Sequence, residues 1–201
     1  LQPGASAVRD ARQRLREIRA QARLNSLRRQ AAATVSNEDW QAAIELYRKA
    51  LAIDPAAGFA RTGLLQAEER VTLHAQFDHY LDAPARVYSA GPLANAEQLL
   101  ATASAAPPAE PRLGKKISTL RKLVAAASTP LTVTLKSDGA TSVVIHRVGP
   151  LGQFDTRQLE LLPGDYTVVG SRPGYRDVRR VIAVRPGVPP APLVVRCEEP
   201  V

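Results

Sequence analysis

The pattern of apolar and polar positions divides the chain near Thr129 into a helical part and a strand-rich part. Before that point, apolar residues recur at intervals of three and four over long segments that lack internal proline, which is the period of an amphipathic helix. After it they alternate with polar residues, as in Leu131, Val133 and Leu135, which is the period of a half-buried strand. The pattern predicts an α+β chain with two domains.

The first helix is predicted from Ala5 to about Thr34, where neither Pro nor Gly occurs. We expect its apolar stripe to pack on the next helix, with a weakly encoded coiled-coil dimer as the alternative. The residues of the stripe follow a 3-4 spacing: Val8, Ala11, Leu15, Ile18, Ala22 and Asn25.

A second helix is predicted over residues 39–53, with Ser36 or Asn37 as its N-cap and a stop before Pro55. Further helices are predicted over residues 57–82, 92–106 and 112–128, the last two being separated by a Pro-rich break. These elements place the domain boundaries at 1–34 for the Arg-rich helix, 35–128 for the helical bundle and 129–201 for the strands.

Within residues 24–55, small residues stand at Ala31, Ala43 and Ala50, with Tyr47 between the last two and Pro55 after them. This pattern resembles a tetratricopeptide repeat, a helical hairpin that other proteins use for protein–protein recognition, with Ala31 at the small position of the first helix and the others at the small, aromatic, small and Pro positions of the second. The later helices depart from the repeat. These departures argue against a long peptide groove and favour a compact bundle of five or six helices.

About six short strands are predicted after residue 130, separated by Pro-Gly turns in which Gly accepts the positive φ of a type II turn. This region contains the segment SDGA at 137–140 and a second set of pattern positions at Leu161, Pro163, Gly164, Tyr166, Val168, Gly174 and Tyr175. With these residues, the stretch 130–186 resembles the PEGA domain of bacteria, which implies a small antiparallel β-sandwich. SDGA corresponds to the tetrapeptide that names the family, and the loop 146–156 is longer than usual.

The formal net charge of +8 is concentrated in the first helix, because residues 1–31 hold eight arginines and two acidic residues. Arg12, Arg16 and Arg19 recur along one line of that helix, and such a stripe can bind nucleic acid or anionic lipid. The helix has no aromatic residue, although DNA-reading elements usually add aromatic or base-contacting polar residues.

The sequence contains no catalytic or nucleotide-binding motif, so we expect neither enzymatic activity, nor a small-molecule substrate, nor a cofactor. His74 and His79 are five residues apart on one predicted helix, which points them in different directions and excludes a shared metal of the i, i+4 type. We expect no metal site. Cys197, the one cysteine, ends an apolar run and is expected to fill the core.

The two resemblances together imply a non-catalytic interaction or scaffold module of a bacterial cell-envelope protein, with a cytoplasmic adaptor for nucleic acid or anionic lipid as the alternative. The chain begins at Leu1 and lacks Met, so we expect a processed piece that a membrane anchor could precede, placed in the periplasm or envelope. Its partner is expected to be a protein, with a homodimer through the first helix left open. The predicted contact residues are Arg12, Arg16, Arg19, Phe77, Tyr80, Tyr88, Tyr175, Arg176 and Arg180.

Overall fold

The computed structural model describes residues 4–105, 110–188 and 190–201, and it confirms an α+β chain in two parts. These residues divide into two compact units, which we call the first unit (4–78 and 110–113) and the second unit (79–105, 114–188 and 190–201). None of the described helices combines the length and apolarity needed to cross a bilayer. The helices are α1 (Gly4–Ser36), α2 (Trp40–Ile53), α3 (Gly58–Leu81), a 3-10 helix (Pro84–Tyr88), α4 (Ala90–Ala105) and α5 (Pro111–Ala127).

The first unit is built where the second half of α1 packs on α2 and α3. Leu24 and Leu27 of α1 share a core cluster with Ala50 of α2 and Ala60 of α3. These small residues allow the helices to approach closely, and apolar burial of this kind contributes roughly 25 cal/mol per Å². The stripe predicted from Val8 to Asn25 is not part of this contact, since all its residues are exposed.

The turn between α1 and α2 differs from the prediction. Helix α1 continues through Ser36, so neither Ser36 nor Asn37 caps α2; the N-cap is Asp39, whose carboxylate accepts a hydrogen bond of 3.2 Å from the amide of Ala42. Glu38 adopts a positive φ of 53° between the two helices. This conformation reverses the chain within three residues and directs the Glu38 carboxylate to the amides of Arg112 and Leu113.

The second unit contains the 3-10 helix, α4 and most of α5. Val87, Ala96 and Leu120 are buried side chains of the 3-10 helix, α4 and α5. The Pro-rich break predicted between the last two helices falls largely on residues 106–109, which lie outside the described residues. Both flanking helices begin or end within two residues of their predicted positions.

Seven strands follow in the described part of the chain and form two sheets. In the first sheet, β1 pairs antiparallel with β4 and parallel with β7; in the second, the order is β3-β2-β5-β6, antiparallel throughout. Val133 and Leu161 from the first sheet share one core with Val143, Val168 and Val184 from the second. The strands are β1 (Leu131–Lys136), β2 (Ser142–Ile145), β3 (Gly149–Gly152), β4 (Thr156–Leu161), β5 (Gly164–Ser171), β6 (Val178–Val184) and β7 (Leu193–Val194).

Two of the three Pro-Gly pairs after residue 130 form the predicted turns. Gly174 and Gly187 have φ values of 80° and 78°, and Tyr175 donates its amide to Arg172 O across the first turn at 3.1 Å. Gly164 behaves differently, because it begins β5 and a Cβ there would lie 3.3 Å from Tyr88 O. The backbone of Tyr88 therefore approaches position 164 closely, which favours a residue without a side chain there.

Residues 149–152, which lie within the predicted loop 146–156 and whose Gly and Pro indicate a turn, form a strand. It pairs with β2 across a bulge between Val143 and Val144, and its glycines at both ends adopt positive φ values of 125° and 76°. Gly and Pro predict a turn by local preference, but an edge position tolerates them because only one side of the strand is paired.

Residues after β7 close the second unit. Val195 and Cys197 are buried. Ser137 donates its hydroxyl to Val195 O at 2.7 Å, and Arg176 donates its amide to Glu199 O at 2.8 Å. The final residues therefore bind both the loop before β2 and the turn before β6.

Candidate functional site

The first half of α1 is the main candidate for a binding surface, because every residue from 8 to 19 is exposed. We call residues 8–23 the amphipathic segment. Val8, Leu15 and Ile18 retain 51%, 46% and 65% of their accessible surface. These are large exposures for aliphatic side chains that share one helix face, whereas isolated exposed apolar residues are common.

The apolar stripe of the amphipathic segment faces away from the core of its own helix. At 3.6 residues per turn, Leu15 and Ile18 lie roughly opposite the direction in which Leu24 and Leu27 are buried. The predicted packing of this stripe against α2 is therefore wrong. The helix instead has two apolar faces in succession, one buried by its own unit and one exposed.

Arginine side chains flank the exposed stripe. Arg12, Arg16 and Arg19 are exposed and lie about a quarter turn from it around the helix axis. Across residues 8–23, six arginines stand against Asp10 and Glu17, a net charge of +4. Apolar and cationic groups are thus presented together, the arrangement of helices that bind either an acidic partner helix or an anionic surface.

Two of the predicted contact residues belong to the core. Phe77 is completely buried and Tyr80 retains 8% of its surface, so neither ring is available to a partner and we assign both to the interior. Trp40, Tyr47 and Tyr166, which the pattern favours as core residues, each pack against a hydrophobic cluster.

Tyr88 is half-buried in the second unit and held by its neighbours. The guanidinium carbon of Arg185 lies 5.5 Å from the centre of its ring, and Arg185 forms an ion pair of 2.7 Å with Asp165. An open hollow beside this ring is lined by Leu93, Leu162 and Tyr166, among others. Tyr166 donates its hydroxyl to Leu162 O at 2.9 Å, and burial raises the pKa of Tyr166, an effect that Arg147 opposes.

Tyr175 is fixed in the turn before β6. The guanidinium of Arg172 lies 4.3 Å from the centre of its ring and 3.6 Å from a carboxylate oxygen of Asp138. Hydrogen bonds from the amide of Thr141, and further donors including Ala140, hold the pKa of Asp138 below its usual range, although desolvation opposes them. Tyr175 is therefore part of an ordered polar network.

Arg176 and Arg180 are both exposed and line one shallow hollow at the edge of the second sheet. The hollow also contains Arg179 and Arg196, which sequence patterns do not single out, together with Glu198 and Glu199. Arg176 pairs with Glu199 at 3.6 Å and Arg196 pairs with Glu198. The mixture of charges makes this hollow less selective for anions than the amphipathic segment.

Residue types that bind metal come together at one place among the described residues: Glu38, His74 and Glu110. Their ligand atoms lie within 4.8 Å of one another. No local sequence pattern indicates this cluster, because the three residues come from the α1–α2 turn, from α3 and from the residue before α5.

Comparison of the sequence with protein-family models and with curated proteins gave no match. The resemblances to the tetratricopeptide repeat and to the PEGA domain thus rest on the residues that carry them.

Proposed function

We propose that the chain is a non-catalytic interaction module that binds a protein partner through the amphipathic segment. The observation that carries the proposal is the exposed stripe of Val8, Leu15 and Ile18 with arginines beside it. Covering such a stripe removes apolar surface from water, which favours association. The matching partner is an amphipathic helix that places acidic residues next to its own apolar stripe.

A second copy of the chain fits this surface less well. Two amphipathic segments would each bring a net charge of +4 to the interface, and like charges at close range oppose pairing. A different, acidic protein satisfies both the apolar stripe and the arginines. We therefore place the homodimer second to a heterologous complex.

The family resemblances support the scaffold part of the proposal. Ala31, Ala43 and Ala50 are all buried, with Tyr47 packed between two core clusters, as the small and aromatic positions of a tetratricopeptide hairpin require. Two sheets that share one core are compatible with a PEGA-like β-sandwich. By this resemblance we propose a bacterial envelope or periplasmic location, where the module would dock a partner.

Site-specific photo-crosslinking in cells that produce the whole protein tests the proposal. A crosslinker in place of Leu15 or Ile18 should give a discrete protein adduct, whereas one in place of Gln13, exposed on another face of the same helix, should not. Replacing Arg12, Arg16 and Arg19 with Glu should remove the adduct. Equal labelling from all three positions, or no protein adduct from the apolar face, would refute the proposal.

The alternative function, an adaptor for nucleic acid or anionic lipid, is favoured by the line of Arg12, Arg16 and Arg19 alone. It predicts salt-sensitive binding to duplex DNA or to phosphatidylglycerol vesicles. Leu15→Gln together with Ile18→Gln, which leaves the net charge unchanged, should spare DNA binding but abolish vesicle binding, because only the membrane buries apolar groups. If the wild-type chain binds neither at low salt, this alternative is eliminated.

A further inference from the structure

Three potential metal ligands from distant parts of the sequence converge in the first unit. We propose that Glu38, His74 and Glu110 form a structural binding site for one divalent transition-metal ion, with Zn²⁺ as the ion whose ligand preferences fit best. One imidazole nitrogen and two carboxylate oxygens are donors that zinc accepts in proteins. This inference does not depend on the amphipathic segment.

The carboxylates retain donor capacity for a metal. Glu38 is buried, and its oxygens accept hydrogen bonds of 2.7 and 3.1 Å from the amides of Arg112 and Leu113. Each carboxylate oxygen has a second lone pair, so these hydrogen bonds orient Glu38 and still leave lone pairs with which it can bind a metal. They act as the outer contacts that commonly hold a metal-binding carboxylate in position.

Glu110 offers its second oxygen to the same point. Arg70 pairs with Oε1 of Glu110 at 2.9 Å, while Oε2 is buried and accepts no hydrogen bond from the described residues. This Oε2 atom lies 3.9 Å from Nε2 of His74. Neighbouring ligands of a tetrahedral zinc ion lie about 3.3 Å apart, given bonds of about 2.0 Å, so a shift of roughly half an ångström would bring this pair to ligand spacing.

The balance of charge favours a cation. Glu38 is buried, whereas Glu110, His74 and Arg70 are partly buried. The two carboxylates contribute two negative charges and Arg70 one positive charge, so with neutral His74 these four residues carry a net charge of −1. An excess charge that is largely removed from water is unfavourable unless it is compensated. A metal ion would supply that compensation and would join the start of α5 to α3 and to the α1–α2 turn.

A solvent-open hollow gives access to the cluster. It is lined by Trp40, Val71 and His74, with Asp39, Asp78 and Arg112 as the other charged groups that face it. A water molecule could complete the coordination from that side, as in zinc sites with three protein ligands. Protonation of His74 would compete with the metal, since only neutral imidazole binds it.

The test is a titration of tag-free protein at neutral pH with Zn²⁺, in competition with a chelating indicator. We expect one ion per chain, at least tenfold weaker binding in His74→Gln and in Glu110→Gln, and unchanged binding in His146→Gln, a control for an exposed histidine of the second unit. Arg70→Gln should bind Zn²⁺ more tightly, because a competing cation is removed. With Co²⁺ as the probe, visible ligand-field absorption should appear and be lost in His74→Gln.

Two readouts keep the proposal open to refutation if a variant is less stable. Circular dichroism checks that each variant is folded, and the melting temperature of the wild-type chain should rise with Zn²⁺ concentration. If the wild-type chain binds no more Zn²⁺ than His74→Gln does, the proposal is overturned. A loss of Zn²⁺ binding in His146→Gln as large as that in His74→Gln would overturn it as well. Stability that responds to pH through His74 but not to Zn²⁺ or Co²⁺ would show that the cluster takes a proton only, and would overturn it too.

Discussion

The phenol ring of Tyr47 on α2 lies in the space that a side chain at Gly63 on α3 would need. A Cβ atom at position 63 would be 2.8 Å from Cε2 of Tyr47 and nearer still to two other ring carbons. The ring packs against both core clusters of the first unit, and its burial raises the pKa of Tyr47. Gly63 thus sets the distance between α2 and α3.

Gly63→Ala should destabilise the chain although alanine favours helices. Overpacking of this kind costs about 1–3 kcal/mol, which exceeds the gain of about 1 kcal/mol in helix propensity. The control is Gly114→Ala within α5, where an added Cβ meets no atom within 4 Å and stability should rise. Urea unfolding at neutral pH measures both, and a Gly63→Ala chain as stable as the control would contradict the packing.

Gly170 of β5 plays a comparable part in the second unit. A Cβ there would lie 2.8 Å from Cγ2 of Thr141, 2.9 Å from Cγ1 of Val178 and 3.1 Å from Cγ1 of Val195. We expect Gly170→Ala to cost about 1–3 kcal/mol of unfolding free energy.

The methyl group of Thr141 offers a matched rescue for that substitution. Thr141→Ser removes the nearest atom but keeps the hydroxyl that accepts a hydrogen bond of 3.1 Å from the amide of Cys197. Combined with Gly170→Ala, it should recover part of the lost stability in a double-mutant cycle. Strictly additive losses would show that Thr141 is not the limiting contact.

The lowered pKa of Asp138 gives the second unit a dependence on acid. A carboxyl group whose pKa is lower in the folded state stabilises that state above its unfolded pKa of about 3.9, and the stabilisation is lost as the pH falls through the folded pKa. Wild-type chain should therefore exceed Asp138→Asn in unfolding free energy at neutral pH, and the difference should shrink below about pH 4.

Urea titrations at a series of pH values measure this difference, with Asp177→Asn as a charge-matched change at an exposed carboxylate. Asparagine keeps an oxygen for the amides of Ala140 and Thr141 but loses the charge that faces Arg172. A difference between wild type and Asp138→Asn that persists unchanged into acid would show that the charge contributes nothing.

Cys197 should be protected from thiol reagents in the folded chain. It is buried, and its thiol donates to Gly170 O at 3.3 Å. A reagent can reach it only when the second unit opens, so we expect labelling at least a hundredfold slower in buffer than in denaturant, on the order that a stable core imposes. The chain has one cysteine, which makes the absorbance signal unambiguous, and rapid labelling in buffer would contradict the closed core.

The local sequence pattern predicts those elements whose structure depends mainly on interactions between residues that are close in sequence. Strand β1 lies where Leu131, Val133 and Leu135 alternate, and the burial of Ala43 and Ala50 follows from their spacing. The local pattern does not predict strand β3, because Gly149 and Pro150 favour turns locally. Pairing with β2 holds this segment in an extended conformation instead. Tertiary contact overrides local preference there.

The candidate sites depend even more on contacts between distant residues. Sequence periodicity finds the apolar stripe of Leu15 and Ile18, but it cannot distinguish a stripe that packs on α2 from one that faces solvent. Phe77 and Tyr80 share a helix with exposed residues, and only the fold buries them. Likewise, Glu38, His74 and Glu110 converge through helix packing, which no spacing rule encodes.

The parallel pairing of β1 with β7 has a consequence during synthesis on the ribosome. β1 is the first strand to emerge, yet its partner at Leu193 and the buried Val195 follow some sixty residues later, by the numbering of the sequence. The first unit also waits, until Glu110 can reach α3, but it can assemble well before the second. A nascent chain that stalls before Val195 would carry a folded first unit and an incomplete sheet, whose unpaired strand and apolar surface chaperones and proteases recognise.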